Sequence, residues 1–267
     1  VGHQAYAHKA LTGRKDQLNT IRQKDGLSGF PKRSESPYDA FGTAHASTGI
    51  SAALGIQAGK DLKQESDRVI VVVGDGGLTG GMAYEGLNQA GHLKKPLIVI
   101  LNDNGMSISH NVGTITQFLT KRVSSETYIK ARRELKHLLE KLSDHGIPLF
   151  APIEKLRQSV KALFSSGLFF ESLGCRYMGP FDGHQVTELV ELFKHLPEQL
   201  GQHPLLIHII TQKGKGLPWA ENNPVGSHGV SPFNPDTGEP LPKKSEPPSY
   251  TSIFAKTLIA MAKENKH

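Results

Sequence analysis

Apolar residues in this chain occur as short continuous runs and as periodic stretches. Aliphatic runs at residues 69–73 and 97–101 predict buried strands over 68–73 and 96–101. Between them lie a glycine turn that starts at Gly74 and a helical pattern over 79–91. Strand, turn, helix and strand in this order predict a βαβ crossover with parallel strands.

The same alternation continues on both sides of this unit. The pattern predicts a helix near 48–58, a short strand at 176–178, a helix over 185–196 and a buried strand at 205–210. Asp182 is expected to cap the helix that follows it. The fold class is therefore predicted to be α/β, with a mostly parallel sheet flanked by helices.

Three segments are predicted from changes in composition. Residues 1–221 form the α/β domain, in which 114–170 is a charged, helical insertion able to move over the sheet. Residues 222–249 are rich in proline and predict an extended linker. A helix within 250–267 is expected to open a further domain, because it stands alone after that linker. The chain starts without Met and shows no signal peptide, so it is expected to come from a longer protein.

Composition excludes several classes of protein. The 267 residues contain one cysteine, Cys175, which excludes an internal disulfide framework and a multi-cysteine zinc site and favours a reducing compartment. The aliphatic runs are far shorter than the roughly 20 residues of a membrane span. The net charge is +6, but the basic residues are scattered. We therefore expect neither a membrane nor a nucleic acid as partner.

The glycine turn carries the first chemical signal. Gly74 to Gly81 follow a predicted strand, at the edge where parallel sheets bind ligands. Glycines let the backbone approach a phosphate closely, which predicts an anion site. The turn does not match the dinucleotide fingerprint, because Thr79 stands where the third glycine is required, and no phosphate-loop lysine follows.

Asp75 and Asn104 extend this signal to a metal. They lie in or after two successive strands, so both should reach one edge of the sheet. A carboxylate and an amide oxygen are hard ligands suited to Mg²⁺, and diphosphate oxygens could complete the shell. Taken singly, Asp75 could cap a helix and Asn104 could stabilise a turn.

The Gly-Asp-Gly and Asn-Asp-Asn segments together resemble the thiamine diphosphate motif of the transketolase superfamily. Flanking segments narrow the resemblance to the 1-deoxy-D-xylulose-5-phosphate synthase family over nearly the whole chain, with less similarity at 114–170. These segments are VGHQAY (1–6), HK (8–9), LTGR (11–14), FPKRSES (30–36), HAST (45–48), NDNGMSIS (102–109), GPFDGH (179–184) and KGKG (213–216).

The resemblance implies roles for individual residues. Mg²⁺ would be bound by Asp75, Asn104 and the Met106 carbonyl. The implied catalytic residues, which line the cofactor and substrate pocket, are His3, His45 and His228. Thiamine diphosphate would contact His3, His45, Ala46, Ser47, Gly74, Gly76, Gly77, Asn104, Met106, Lys215 and Leu217.

It also implies an activity and partners. Members join pyruvate to D-glyceraldehyde 3-phosphate with loss of CO₂, in isoprenoid and thiamine precursor synthesis, as homodimers in the bacterial cytoplasm or the plastid stroma. A glutamate on a further pyrimidine-binding domain activates the cofactor, so this chain alone is expected to hold the diphosphate half of the site.

Two alternative functions stay open: another transketolase-like enzyme, such as transketolase or a 2-oxo acid dehydrogenase component, or a non-catalytic module that binds the cofactor. Three positions depart from the family pattern. Ala44, Gly105 and Ser227 stand where glycine, glutamate and an aromatic residue are usual.

Overall fold

The computed structural model describes residues 2–113, 167–196, 201–242 and 247–265. The chain divides into two compact units, Val1–Lys213 and Gly214–His267.

The first unit contains a four-stranded sheet whose neighbouring strands are all parallel. The strands are β1 (Ile70–Gly74), β2 (Ile98–Asp103), β3 (Arg176–Asp182) and β4 (Leu205–Ile210), in the spatial order β1-β2-β4-β3. The predicted α/β fold with a parallel sheet is confirmed.

The helices follow the predicted alternation. In the first unit they are α1 (Gln4–Lys9), α2 (Gly49–Leu62), α3 (Asp75–Leu78), α4 (Gly81–His92), α5 (Gly167–Ser172) and α6 (Val186–His195). Two irregular helical turns, Ala10–Arg14 and Lys15–Thr20, continue from α1.

Apolar side chains cover both faces of the sheet. On one face, Val99, Leu101 and Leu206 belong to a buried cluster that includes residues of α2, α4 and α5. On the other face, Ile98 and Ile207 belong to a smaller cluster with Leu196. Burial on both faces explains the continuous aliphatic runs of β2 and β4. In β1, at the end of the strand order, Ile70 and Val72 are exposed despite the equally apolar run.

Most predicted elements differ from the structure only at their ends. Two differences are larger: α2, expected to end near 58, continues to Leu62, and the strand expected at 176–178 continues as β3 to Asp182. The expected helix cap is wrong: the residue before α6 is Gln185, which has no side-chain cap, and Asp182 Oδ1 instead accepts a hydrogen bond from the backbone N–H of His184 at 2.9 Å.

Much of the expected insertion lies outside the described residues, since only 167–170 of its range are described and begin α5. The division into domain, linker and opening helix stays a prediction.

The second unit contains α7 (Pro218–Asn222) and α8 (Tyr250–Glu264). Trp219 packs edge-on against Phe233, with ring centroids 5.0 Å apart, and its indole N–H donates to the Pro235 carbonyl at 3.2 Å. Among the described helices of the whole chain, none has the length and apolar character needed to cross a bilayer.

Candidate active site at the carboxyl ends of β1 and β2

Two aspartates lie side by side where β1 and β2 end. The strands pair in register, with Val73 opposite Leu101 and Gly74 opposite Asn102, so Asp75 and Asp103 follow at matching positions. Both are only 6% exposed, so the charge of each carboxylate acts on the other through the protein interior. The sheet register therefore creates a buried acidic pair.

The environment of this pair affects its two members differently. Burial, and then the charge of Asp103, raise the pKa of Asp75, although backbone N–H groups of Gly76 and Asn104 donate to its carboxylate. Burial acts on Asp103 in the same direction, but the hydrogen bond and charge of His208 outweigh it and lower the pKa of Asp103. A cation beside Asp75 would offset the cost of its buried charge.

A tight turn after β2 presents Asn104 and Met106. The Asp103 Oδ1 atom accepts from the Gly105 N–H at 3.0 Å, and Asn104 Oδ1 accepts from the Met106 N–H at 3.0 Å. Gly105 has φ of +71°, a conformation that favours glycine. The strand register places this turn next to Asp75, and the Asn104 amide oxygen is hydrogen-bonded within the turn.

The glycine turn packs closely against its neighbours. A Cβ atom at Gly76 would lie 2.8 Å from the Cβ of Ser107, in the loop after β2. Ser47 Oγ donates to the Gly77 carbonyl at 2.6 Å. A Cβ atom at Gly74 would lie 3.6 Å from Gln4 Nε2. Three separate segments therefore meet at this turn.

Two of the predicted catalytic histidines lie in segments that meet at this turn. His3 is exposed and precedes Gln4, while His45 is exposed in the loop that leads through Ala46 to Ser47. The structure thus brings the His3 and His45 segments to the glycine turn. His228, Lys215 and Leu217 belong to the second unit, and their roles stay predictions.

Sequence analysis missed three polar residues around Asp75. Asn111 Nδ2 donates to Asp75 Oδ2 at 2.7 Å. Lys213 Nζ donates to the Ser107 carbonyl at 2.9 Å; its pKa is lowered by burial, with a partial opposing effect of the Asp75 charge. Asp103 and Lys213 belong to the NDNGMSIS and KGKG segments, but no role was predicted for either. Only Asp103 had a local signal, its place at the end of β2. The other two contacts join residues distant in sequence.

The donor set suits magnesium. The described residues hold no group of three or more histidine, cysteine, aspartate or glutamate side chains that could bind a metal. An ion at Asp75 would need amide, carbonyl, water or phosphate oxygens as its other ligands. Mg²⁺ accepts such a shell, whereas structural zinc sites use sulfur and nitrogen. The residues therefore fit the implied metal.

Comparison with solved structures gives the class of fold. Transketolase from Campylobacter jejuni superposes with a TM-score of 0.54 at 21% identity, covering 85% of this chain and 30% of the transketolase chain. The parallel sheet with a strand-end site thus has the α/β architecture of transketolase.

The family follows from the sequence comparisons. A family model described as 1-deoxy-D-xylulose-5-phosphate synthase matches residues 1–211. The chain belongs to this family. The enzyme of that name from Carboxydothermus hydrogenoformans is 50% identical over 264 residues, covering 99% of this chain and 42% of the relative. The one from Syntrophotalea carbinolica is 48% identical over 265 residues, with the same coverage, 99% and 42%. The chain therefore spans less than half the length of these relatives.

Proposed function

We propose that this chain supplies the Mg²⁺- and diphosphate-binding part of a thiamine diphosphate-dependent 1-deoxy-D-xylulose-5-phosphate synthase. One observation carries the proposal: a buried carboxylate, Asp75, lies at the ends of two adjacent parallel strands, beside a turn where Gly76 admits no side chain. Family membership favours this enzyme over the other transketolase-like enzymes.

In this proposal the metal ligands are Asp75, the Asn104 amide oxygen and the Met106 carbonyl. Gly74, Gly76 and Gly77 present backbone to the diphosphate, and the Ser47 contact holds Gly77 in place. Lys213 would balance the diphosphate charge, because its ammonium lies over the loop after β2 and within electrostatic range of Asp75.

The remaining roles concern the reacting groups. Thiamine diphosphate supplies the carbanion chemistry that joins pyruvate to D-glyceraldehyde 3-phosphate with loss of CO₂. We assign proton transfer near the substrate carbonyl to His3, His45 and His228, since imidazole titrates near neutral pH. Ala46, Lys215 and Leu217 would line the cofactor. A pyrimidine-binding domain and a second copy of the protein complete the proposed assembly.

The test measures cofactor binding. Thiamine diphosphate is titrated into the 267-residue chain by calorimetry, with Mg²⁺ and with EDTA. We expect binding only with Mg²⁺, and Asp75→Asn should weaken it at least about 100-fold, because the amide removes the charged ligand. The variant should still fold, since an amide oxygen can accept from Asn111 and the repulsion by Asp103 is relieved.

Asp182→Asn is the matched control, because Asp182 is an exposed aspartate at the end of another strand of this sheet. It should bind the cofactor like the unmodified chain. Equal binding by Asp75→Asn, or binding that is indifferent to Mg²⁺, would contradict the proposal.

A further inference from the structure

A row of buried polar side chains crosses the sheet towards the candidate metal site. The Tyr177 hydroxyl and His208 Nδ1 are 2.8 Å apart, and His208 Nε2 lies 3.0 Å from Asp103 Oδ2. His208 is fully buried and Tyr177 is 8% exposed. Both ring nitrogens of His208 therefore have partners inside the protein.

Strand register explains how this row forms. Leu101 of β2 pairs with His208 of β4, and Leu206 pairs with Tyr177 of β3. Side chains two positions apart share a face of a strand, so Tyr177, His208 and Asp103 lie on one face. Val73 pairs with Leu101, which extends the same face to Asp75. The row thus runs from β3 to β1, across all four strands.

Asp103 connects this row to both halves of the candidate site. Its Oδ2 atom meets His208, while its Oδ1 atom accepts from the Gly105 N–H in the turn that presents Asn104. The pairing of Gly74 with Asn102 places the same carboxylate beside Asp75. Its orientation therefore affects the spacing between the two proposed ligands, Asp75 and Asn104.

The sheet itself does not need these polar groups. The neighbouring residues on this face, Val99, Leu101 and Leu206, are fully buried and apolar. Burying a histidine and a carboxylate among them costs more than an apolar pair of similar volume would. A buried polar network whose members are all hydrogen-bonded fixes one arrangement of its side chains, which is useful where geometry matters.

We propose that His208, oriented by Tyr177, is a positioning residue that fixes Asp103 and thereby sets the Asp75 and Asn104 ligands for the divalent cation. The proposal rests on the proposed function, because it assumes that this ion binds there. His208 itself does not contact the ion. Outer partners of this kind typically contribute roughly 10- to 100-fold to metal affinity.

The first experiment needs no cofactor. Hydrogen exchange of the Gly105 amide is measured in the ligand-free 267-residue chain, because this N–H donates to Asp103. His208→Leu should make the amide exchange faster, and His208→Gln, which keeps a donor towards Asp103, should restore protection. Unchanged exchange in His208→Leu would overturn the proposal, even if cofactor binding had already failed in the unmodified chain.

The second experiment measures the Mg²⁺ concentration that supports thiamine diphosphate binding. We expect His208→Leu to need roughly 10- to 100-fold more Mg²⁺, His208→Gln to stay close to the unmodified chain, and Tyr177→Phe to show a smaller shift. If the unmodified chain does not bind the cofactor, the proposed function is wrong. The hydrogen-exchange data then decide by themselves whether His208 positions Asp103.

The control is Leu206→Ala, which removes apolar volume from the same face of the same strand but keeps every hydrogen bond of the polar row. It should destabilise the fold and leave the Mg²⁺ requirement unchanged; an equal effect on Mg²⁺ would show that general loosening of the core is the cause. If His208→Leu does not fold, His208→Asn replaces it. Because asparagine is shorter than histidine, its side chain should not reach Asp103, and this hydrogen bond should be lost. Normal Mg²⁺ binding by this variant would overturn the proposal.

Discussion

At the scale of single residues, the candidate site depends on a position in the glycine turn, Gly76, that has no room for a side chain. Gly76 faces the loop after β2 so closely that a Cβ atom would meet both the Cβ of Ser107, at 2.8 Å, and its Cα, at 3.3 Å. Gly81, at the start of α4, has no atom within 4 Å of a Cβ built on it. Of these two glycines of one motif, Gly76 is the one at which a close neighbour requires glycine.

This contrast predicts different effects of alanine at the two positions. Gly76→Ala should push the loop after β2 away from the glycine turn, and such overpacking typically costs about 1–3 kcal/mol. We expect roughly tenfold weaker Mg²⁺-dependent binding of thiamine diphosphate by calorimetry. Gly81→Ala is the control and should bind normally. Normal binding by Gly76→Ala would show that the two loops can separate at no cost.

At the scale of elements, a buried ionic cluster joins the N-terminal helical segment to the loop before α2. Arg14 donates to Asp39 through both terminal nitrogens, at 2.9 and 2.8 Å, and to Glu35 at 2.8 Å. Lys9, whose side chain is fully buried, also pairs with Glu35. The segments that begin at His3 and lead to His45 are therefore connected by buried ion pairs.

Removing one charge should therefore destabilise the protein strongly. Asp39→Asn removes the carboxylate that Arg14 contacts through both terminal nitrogens and leaves Glu35 shared between the buried Arg14 and Lys9, which we expect to cost about 3–5 kcal/mol of unfolding free energy. Urea unfolding followed by circular dichroism measures the loss. Glu65→Gln breaks an exposed pair with Lys60 and should leave stability almost unchanged. Equal stability of the two variants would show that the cluster contributes no more than a surface pair.

The cluster also predicts a pH dependence. Hydrogen bonds from Arg14 lower the pKa of Asp39, and although burial acts to raise the pKa of Glu35, the bond from Lys9 and its other partners leave it lowered. Carboxylates of this kind stabilise the fold above their unfolded pKa, about 4, and lose that contribution as pH falls through the folded pKa.

The stability difference between the unmodified chain and Asp39→Asn should thus be largest near about pH 7 and shrink as pH falls below about 4. Urea unfolding of both proteins across this range measures it. A difference that stays constant with pH would mean that Asp39 does not act through its charge.

The sequence predicted elements and site residues to different extents, for physical reasons. The runs in β1 and β2 are both continuously aliphatic, so local composition was enough to find them, although Ile70 and Val72 of β1 are exposed. Asp75 and Asn104 could be selected as candidate ligands because strand ends are visible in sequence. The roles of His208 and Asn111 depend on register and on a loop returning to the site, and contacts of this range leave no local pattern.

At the scale of the whole molecule, the two compact units differ in how much apolar surface they bury. The first contains both clusters of buried apolar side chains. In the described part of the second, Ala220 is the one buried hydrophobic residue, and α8 buries none of its side chains. Since burial of apolar surface is the main stabilising contribution to folding, the second unit should be the less stable of the two.

The single tryptophan of the chain, Trp219, lies in that second unit and provides a separate signal for it. In urea, its fluorescence should change at lower concentration than the far-ultraviolet circular dichroism, which is dominated by the helices and strands of the first unit. Leu206→Ala should shift the circular dichroism transition alone, because Leu206 belongs to the core of the first unit. Coincident transitions that shift together in this variant would instead show that the two units unfold as one cooperative body.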